Sequence, residues 1–279
     1  LEGDPKSILV ILLSEMGSLV LARPMFDRLR ARYPDAALHA LVFQQNREVL
    51  DLQGVVPPEN VVTIRNDGLL HLLGDSRRAL KSLRDRQVDT VLDLELFARI
   101  SSIFSYLSGA RVRVGFHPHT QEGLYRGSFV NRPVLYNPYQ HMAQQFLTLA
   151  EAIDAGASPP PKRVVGERPR ALPPVELEPG ELEAMRRRLT ADFPVLSGRR
   201  LVLLSPAGGL LPIRAWPLDA YEKLARALLE DGHVLGVIGL ARDKDVAQDL
   251  AARLGSERFL DCGEILFTRN LKVLFTDQR

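Results

Sequence analysis

The sequence predicts an α/β protein with two domains, each built on a parallel β-sheet. Short apolar segments alternate along the chain with segments of helical periodicity, and this order favours parallel strands joined by crossover helices. The same order starts again after a proline-rich stretch near the middle of the chain. The 279 residues suit one to two domains of about 150 residues each. We therefore predict two Rossmann-like domains, 1–157 and 181–279, with a cleft between them.

The composition is that of an ordinary soluble globular protein. A formal net charge of +2 gives no argument for nucleic-acid binding. The single cysteine, Cys262, excludes an internal disulfide and fits a reducing compartment. The chain starts without a signal-peptide pattern, and no apolar run approaches the ~20 residues that span a bilayer. We therefore expect a cytoplasmic protein.

Basic residues cluster in two places, at 77–86 and 186–188. Such clusters are usually solvated faces of helices. A phosphate-binding or membrane-surface role is the alternative that the sequence leaves open.

The first βα unit occupies the start of the chain. Ile8–Leu13 is a continuous apolar run that predicts a buried central strand. The loop Ser14–Ser18 follows, and helical spacing of apolar residues then predicts one helix from Leu19 to Tyr33. Ligands of open α/β sheets bind where strands end and helices begin, and free backbone N–H groups favour anions there. The alternative is an ordinary βα unit with no such role.

The rest of the first half continues the alternation. Amphipathic spacing predicts a long helix at Leu69–Gln87, and Gly109 is placed to end a helix that starts at Phe97. A polar loop is predicted from His117 to Tyr139, before a helix at His141–Ile153. The predicted strands are Ala37–Phe43, Val61–Ile64, Val88–Leu94 and Val112–Phe116.

The second half repeats this plan after a linker. Residues 158–180 have the proline-rich composition of a linker. The predicted helices are Leu182–Leu189, Leu218–Glu230 and Arg242–Leu254. The predicted strands are Arg200–Ser205, Val234–Ile238 and Phe259–Cys262.

Four segments in this order resemble a known family. They are ILVILLSEMGSLVLARPMFDRLRARYPDA, VDTVLDLELFARISSIFSYLSGARVRVGF, LLSPAGGLLPIRAWPLDAYEKLARAL and VIGLARDKDVAQDLA. Together they resemble glycosyltransferase family 9, the ADP-heptose:lipopolysaccharide heptosyltransferases. The resemblance implies a GT-B fold with an acceptor-binding N-terminal domain and a donor-binding C-terminal domain. It also implies metal-independent inverting transfer from a nucleotide sugar.

The position of the catalytic base departs from the family pattern. Inverting transfer needs a base that takes the proton of the attacking hydroxyl. The family has Gly–Asp where this chain has Gly17–Ser18, and a serine hydroxyl is too weakly acidic to replace a carboxylate. Glu15 is the only acid in the loop. We therefore place Glu15 and Ser18 at the catalytic position. The alternative is that Glu15 only faces solvent.

The donor side keeps more of the family pattern. Arg214, before Ala215–Trp216–Pro217, matches the family's basic residue that contacts the donor phosphates, and its guanidinium suits a diphosphate. The loop made of Pro206, Ala207, Gly208 and Gly209 lets backbone N–H groups approach the donor. Asp243 follows the next strand and is either a ribose ligand or an acid at a helix start.

The remaining predictions concern the acceptor side, cofactors and partners. Gly17, Arg99 and His117 are the acceptor-side candidates. No metal is expected, because His117 and His119 lack further ligands at metal-binding spacing. No cofactor is expected either. The resemblance implies an ADP-sugar donor, a lipopolysaccharide-type acceptor and peripheral contact with the inner membrane surface.

The family continues past the Cys262 region with a further helix, strand and diphosphate-binding loop. This sequence has no counterpart of that loop, so we expect the second domain to be incomplete. Two function classes therefore remain: a sugar transferase, or a non-catalytic nucleotide- or glycan-binding relative.

Overall fold

The computed structural model of the protein describes residues 3–96, 99–116, 127–154, 180–206, 213, 215–239 and 243–261. The chain forms two compact units, Leu1–Pro173 and Pro174–Arg279. Each unit has its own parallel sheet, as predicted. The predicted domain limits stay a prediction, because nearly all of the proposed linker lies outside the described residues.

The first unit contains a six-stranded parallel sheet in the order β3-β2-β1-β4-β5-β6. From β1 the chain moves outward to β3, then returns to the other side of β1 and continues to β6. This reversal places a topological switch point between β1 and β4, where open α/β sheets bind ligands. The strands are β1 Ser7–Ile11, β2 Ala37–Phe43, β3 Val61–Ile64, β4 Thr90–Asp93, β5 Val112–Phe116 and β6 Arg132–Val134.

The apolar run that begins with β1 supplies both cores of this unit. Ile8, Val10 and Leu12 enter the core on one face of the sheet. The alternate residues, Leu9, Ile11 and Leu13, enter the core on the other face. The two-residue period of a strand therefore turns one continuous apolar run into two buried surfaces.

Helices cover both faces of the sheet. One core includes residues of α1 Met16–Leu21, α2 Arg23–Arg32, α3 Arg47–Gln53 and α6 Met142–Glu151. The opposite core includes residues of α4 Leu69–Asp85 and α5 Ile100–Leu107. The unit thus has three layers, and α4 and α5 share one outer layer.

The helix predicted from Leu19 to Tyr33 is wrong as a single element. The chain forms α1 and α2, which are separated at Ala22. Pro24 is the second residue of α2 and has no N–H to donate to a preceding turn. The proline therefore starts a new helix, and α1 is too short for a strong dipole.

A second correction concerns the predicted loop from His117 to Tyr139. Its described part contains β6, which pairs with β5. The strand has three residues, and one of them is Pro133, so its pattern is too short and too atypical to recognise. Proline is tolerated there because β6 is an edge strand.

The second unit contains the parallel sheet β7-β8-β9. Leu235 and Val237 of the central strand pack with Leu250 in the core of this unit. The elements are α7 Glu181–Asp192, β7 Leu201–Leu204, α8 Leu218–Glu230, β8 Val234–Val237, α9 Lys244–Leu254 and β9 Phe259–Asp261. In neither unit do the described residues include a helix with the length and apolarity needed to cross a bilayer.

Candidate functional site

The loop after β1 places Glu15 and Ser18 together at the carboxyl edge of the first sheet. Glu15 is exposed and precedes α1, whereas Ser18 is largely buried within it. The Ser18 hydroxyl donates a hydrogen bond of 2.8 Å to Oε2 of Glu15. The glutamate carboxylate therefore lies against the position where the sequence resemblance places an aspartate.

Glu95 holds this loop from the neighbouring strand. It follows β4, and only 3% of its surface is exposed. Its Oε1 accepts hydrogen bonds from the backbone N–H groups of Leu13 at 2.6 Å and Ser14 at 2.7 Å. Both carboxylate oxygens also accept from the Ser14 hydroxyl, at 2.9 and 2.8 Å. One buried carboxylate thus accepts hydrogen bonds from the two backbone N–H groups and the hydroxyl that follow the end of β1.

Asn46 holds the same loop from the other side. This buried residue follows β2, and its side-chain amide donates a 2.7 Å hydrogen bond to the carbonyl of Leu13. The N–H and the carbonyl of Leu13 are therefore both bound by side chains, one from each flanking strand. This arrangement fixes the path of the chain immediately before Glu15.

Asp93 fixes the start of α5 beneath the site. Its Oδ2 accepts hydrogen bonds from the hydroxyl groups of Ser101 at 2.8 Å and Ser102 at 3.2 Å. Its Oδ1 accepts from the backbone N–H of Glu95 at 3.1 Å. The two serines thus bind a structural carboxylate, and Asp93 in turn positions the residue that holds the β1 loop.

Gly115 keeps the neighbouring strand close to Asp93. It lies opposite Asp93 in the β4–β5 pair. A Cβ atom on Gly115 would lie 3.0 Å from Cγ2 of Val130 and 3.4 Å from Cβ of Asp93. Glycine therefore permits the close packing on which the Asp93 network rests.

The acceptor-side candidates fall into two groups. Gly17 lies in α1, and Arg99 is an exposed residue that immediately precedes α5. Both follow carboxyl ends of adjacent strands, so they lie on the same edge of the sheet as Glu15. His117 and His119 lie outside the described residues.

The second unit brings Pro206 and Asp243 to one edge of its sheet. Pro206 is buried just after β7, and Asp243 precedes α9 after β8. A Cβ atom on Gly239 would lie 3.3 Å from Cβ of Asp243, so the glycine lets the aspartate approach the end of β8. The predicted donor residues Ala207, Gly208, Gly209 and Arg214 lie outside the described residues, as does Cys262.

Trp216 is half exposed and lies edge-on to Tyr221 of α8, with the ring centroids 5.2 Å apart. The Tyr221 hydroxyl donates to the carbonyl of Ser205, which joins the start of α8 to the end of β7. This contact agrees with a packing role for the tryptophan.

The sequence predicted Glu15 and Ser18 as site residues, which stays a prediction, and it did not predict the contacts of Glu95 and Asn46 with this loop. Glu95 directly follows the apolar run that predicts β4, and an acid in this position was the sequence signal that could have indicated its role. Asn46 gave no comparable signal, since its role depends on the pairing of β1 with β2. The part of the chain that the structure describes has no cluster of three or more candidate metal ligands.

Solved structures with a similar fold confirm the fold class. The ADP-heptose lipopolysaccharide heptosyltransferase II of E. coli matches with a TM-score of 0.70 at 21% identity, over 96% of this chain and 75% of that chain. An E. coli heptosyltransferase with ADP matches with a TM-score of 0.63 at 15% identity, over 92% and 74% of the two chains. The GT-B-like fold class is thereby confirmed.

The family follows from the sequence comparisons. Residues 76–275 match the family model of glycosyltransferase family 9 (heptosyltransferase). The lipopolysaccharide heptosyltransferase 2 of Salmonella typhimurium is 26% identical over 257 residues, which cover 91% of this chain and 69% of that relative. The E. coli protein of the same name is 24% identical over 257 residues, with the same coverage. The chain therefore belongs to glycosyltransferase family 9, and the protein is a glycosyltransferase.

Proposed function

We propose that the protein transfers a heptose or a related sugar from a nucleotide-diphosphate donor to a lipopolysaccharide-type glycan. The names of the relatives support heptose and lipopolysaccharide, and the solved relative with ADP supports an ADP-sugar donor. The reaction inverts the anomeric centre and uses neither a metal nor a further cofactor. It takes place in the cytoplasm, beside the inner membrane surface.

The hydrogen bond between Ser18 and Glu15 carries this proposal. It brings a carboxylate to the place of the missing family aspartate. The other carboxylate oxygen, Oε1, accepts no hydrogen bond from the residues that the structure describes. Glu15 accepts the proton of the acceptor hydroxyl while that oxygen bonds to the anomeric carbon. The bond from that carbon to the donor phosphate breaks, and the nucleoside diphosphate leaves with the electron pair.

The second unit binds the donor in this proposal. The backbone of the loop 206–209 and the guanidinium of Arg214 stabilise the negative charge of the leaving diphosphate. Asp243, held at the end of β8, contacts the ribose. Gly17, Arg99 and His117 lie on the acceptor side, where a cation suits an anionic glycan.

The test is transfer of heptose from ADP-heptose to a truncated lipopolysaccharide core. Mass spectrometry of the acceptor measures the transfer. Glu15→Gln removes the base while it keeps the side-chain size, so we expect kcat to fall by roughly 10²–10⁴. Glu230→Gln, an exposed glutamate in the second unit, is the control and keeps the wild-type rate. Ser18→Asp placed on Glu15→Gln restores part of the rate, because it supplies a carboxylate at the family position.

Three outcomes contradict parts of the proposal. Full activity of Glu15→Gln rejects Glu15 as the base. Donor binding without turnover in the unmodified protein favours the non-catalytic alternative. Loss of transfer in a chelator, with recovery on addition of Mg²⁺, rejects the metal-independent reaction.

A further inference from the structure

The first turn of α4 exposes three leucines. Leu69, Leu70 and Leu73 are 69%, 85% and 59% exposed, although α4 buries Ala79 and Leu83 in the core on its inner side. Single exposed leucines are common on protein surfaces, whereas adjacent ones mark an interaction surface. These three residues therefore offer an apolar surface on which a partner can pack.

A row of basic residues continues directly from these leucines. Leu70, Leu73, Arg77, Lys81 and Arg84 follow one another at steps of three or four residues and lie on one side of the helix. Among the described residues, Arg77 and Lys81 have no carboxylate partner, and Arg84 donates to the carbonyl of Leu107. The α4 face, defined as Leu69, Leu70, Leu73, Arg77, Lys81 and Arg84, thus has an apolar end and a basic end.

The neighbouring helix extends this surface. Ile103 and Tyr106 of α5 are about half exposed, and α5 packs on the same side of the sheet as α4. The Tyr106 ring lies 5.1 Å from the ring of Phe129, and the Arg113 guanidinium lies over Tyr106. Exposed aromatic rings beside arginines are typical of side chains that occupy the boundary between water and lipid.

The opposite layer of the unit shows a different charge pattern. Arg28 and Arg32 of α2 both pair with Glu151 of α6, and Arg23 pairs with Asp27. Most basic residues of α2 are thus neutralised by acids of the same layer, whereas Arg30 donates to the carbonyl of Val55. Helix α4 contains two acids. Asp75 is buried and pairs with Arg65 and Arg78, and the exposed Asp85 at the last position of the helix forms no ion pair with the basic row among the described residues.

We propose that the α4 face docks the protein on an anionic phospholipid surface. The leucines enter the boundary between headgroups and acyl chains, and the basic row binds the lipid phosphates. A second copy of the chain fits less well, because a two-fold contact over the whole face sets each basic row against either the basic row or the leucines of the other copy. Nucleic acid fits less well, because it offers nothing apolar to the leucines.

The position of the face relates docking to the proposed function. Because α4 starts after β3, its apolar end lies at the carboxyl edge of the sheet, as does the loop that carries Glu15. Docking through the α4 face therefore holds the loop that carries Glu15 at the lipid surface. The relation between docking and the Glu15 loop rests on the proposed function. The docking itself depends only on the residues of the α4 face.

The test is co-sedimentation of the full chain with vesicles of phosphatidylglycerol and phosphatidylethanolamine, and with vesicles of phosphatidylcholine. We expect binding only to the anionic vesicles, and weaker binding as salt increases. Arg77→Ala/Lys81→Ala weakens the binding roughly tenfold or more. Leu70→Ser/Leu73→Ser weakens it through the apolar contact. The control Arg187→Ala/Lys223→Ala removes the same charge from exposed positions of the second unit and binds as the unmodified chain does.

Each other outcome overturns the docking proposal. Equal binding to both kinds of vesicle, or equal losses in the control and the α4 variants, removes the role of this face. A dimer in analytical ultracentrifugation that dissociates in Leu70→Ser/Leu73→Ser assigns the face to a second copy. We expect the α4 variants to transfer sugar to a soluble acceptor at the rate of the unmodified chain. Vesicle binding therefore tests the docking, and sugar transfer separately tests the proposed function.

Discussion

Glu95 has more influence on the candidate site than its place after β4 suggests. It accepts two backbone N–H groups and one hydroxyl from the chain segment that leads to Glu15. Because the N–H of Leu13 is buried, no water replaces a lost partner there. The positions of Leu13 and Ser14 therefore depend on one side chain that is more than 80 residues away in sequence.

Glu95→Ala should lower the free energy of unfolding by about 2–3 kcal/mol, because it leaves a buried donor without a partner. Glu95→Gln should cost less, since its carbonyl oxygen still accepts one bond. Urea unfolding monitored by circular dichroism measures both changes. Glu59→Ala, at an exposed position, is the control. Equal stability of the Ala variant and the unmodified protein contradicts the role of Glu95.

For single residues, the local sequence indicates which residues form the loop after β1, but not which distant residues hydrogen-bond to it. Glu15 stands out as the one acid between β1 and α1. The functions of Glu95 and Asn46 arise only when β4 and β2 pair with β1. Strand order follows from contacts distant in sequence, which a local pattern does not specify.

Among the secondary structure elements, the contact between β2 and the end of α4 has a pH-dependent component. His39 of β2 is 4% exposed, and its Nδ1 lies 3.2 Å from Nη1 of Arg86. Arg86 also donates to Asn60 and to the carbonyl of Glu59. Burial, followed by the charge of Arg86, lowers the pKa of His39.

This lowered pKa predicts that acid destabilises the fold. Below pH ~6.5 the unfolded chain binds a proton at His39 that the folded chain excludes, so stability is complete above that pH and declines as the pH falls. The slope from this group is at most about 1.4 kcal/mol per pH unit. His39→Gln should show a smaller decline between pH 7 and 5 in urea unfolding. His71→Gln, on the exposed side of α4, is the matched control and should keep the full decline.

The predicted and observed elements differ where one residue interrupts a regular pattern. Leu19, Ala22, Phe26 and Leu29 keep helical spacing across the junction of α1 and α2, so the periodicity alone indicates one helix. Pro24 interrupts the helix because it has no backbone N–H to donate, and the spacing of apolar residues does not show this effect. By contrast, α3 ends before Gly54, which adopts φ +60° as expected for a helix end.

The whole molecule contains separate cores in its two units. The cores beside β1 contain only residues of the first unit, and the core around β8 contains only residues of the second. Leu9 and Leu250 are fully buried in one unit each. Truncation of either leucine therefore creates a cavity in one unit.

Leu9→Ala and Leu250→Ala should each destabilise their own unit by about 2–5 kcal/mol. Hydrogen exchange of the full chain, read by mass spectrometry, should show faster exchange in the strands of the altered unit. Leu224→Ala, at a partly exposed position of α8, is the control and should cost much less. Uniform acceleration across both units in either variant contradicts separate cores.

The two-unit plan was predictable because the alternation of strands and helices occurs twice in the sequence. The switch point between β1 and β4 could not be predicted from local patterns, since it depends on which strand returns to pair with β1. The family resemblance predicted a glycosyltransferase, and this class is confirmed. The hydrogen bonds that hold the β1 loop depend on the paired strands and could not be predicted.

The binding of Leu13 by side chains of two neighbouring strands has an evolutionary consequence. Because Glu95 and Asn46 hold the backbone of Leu13, exchange of the side chains at positions 15 and 18 leaves these two anchoring contacts in place. In the proposed function, a carboxylate at position 15 can therefore take the place of the family aspartate at position 18 while the chain before it keeps its path. On that proposal, the identity of the reacting residue changes during evolution while the place of the reaction stays constant.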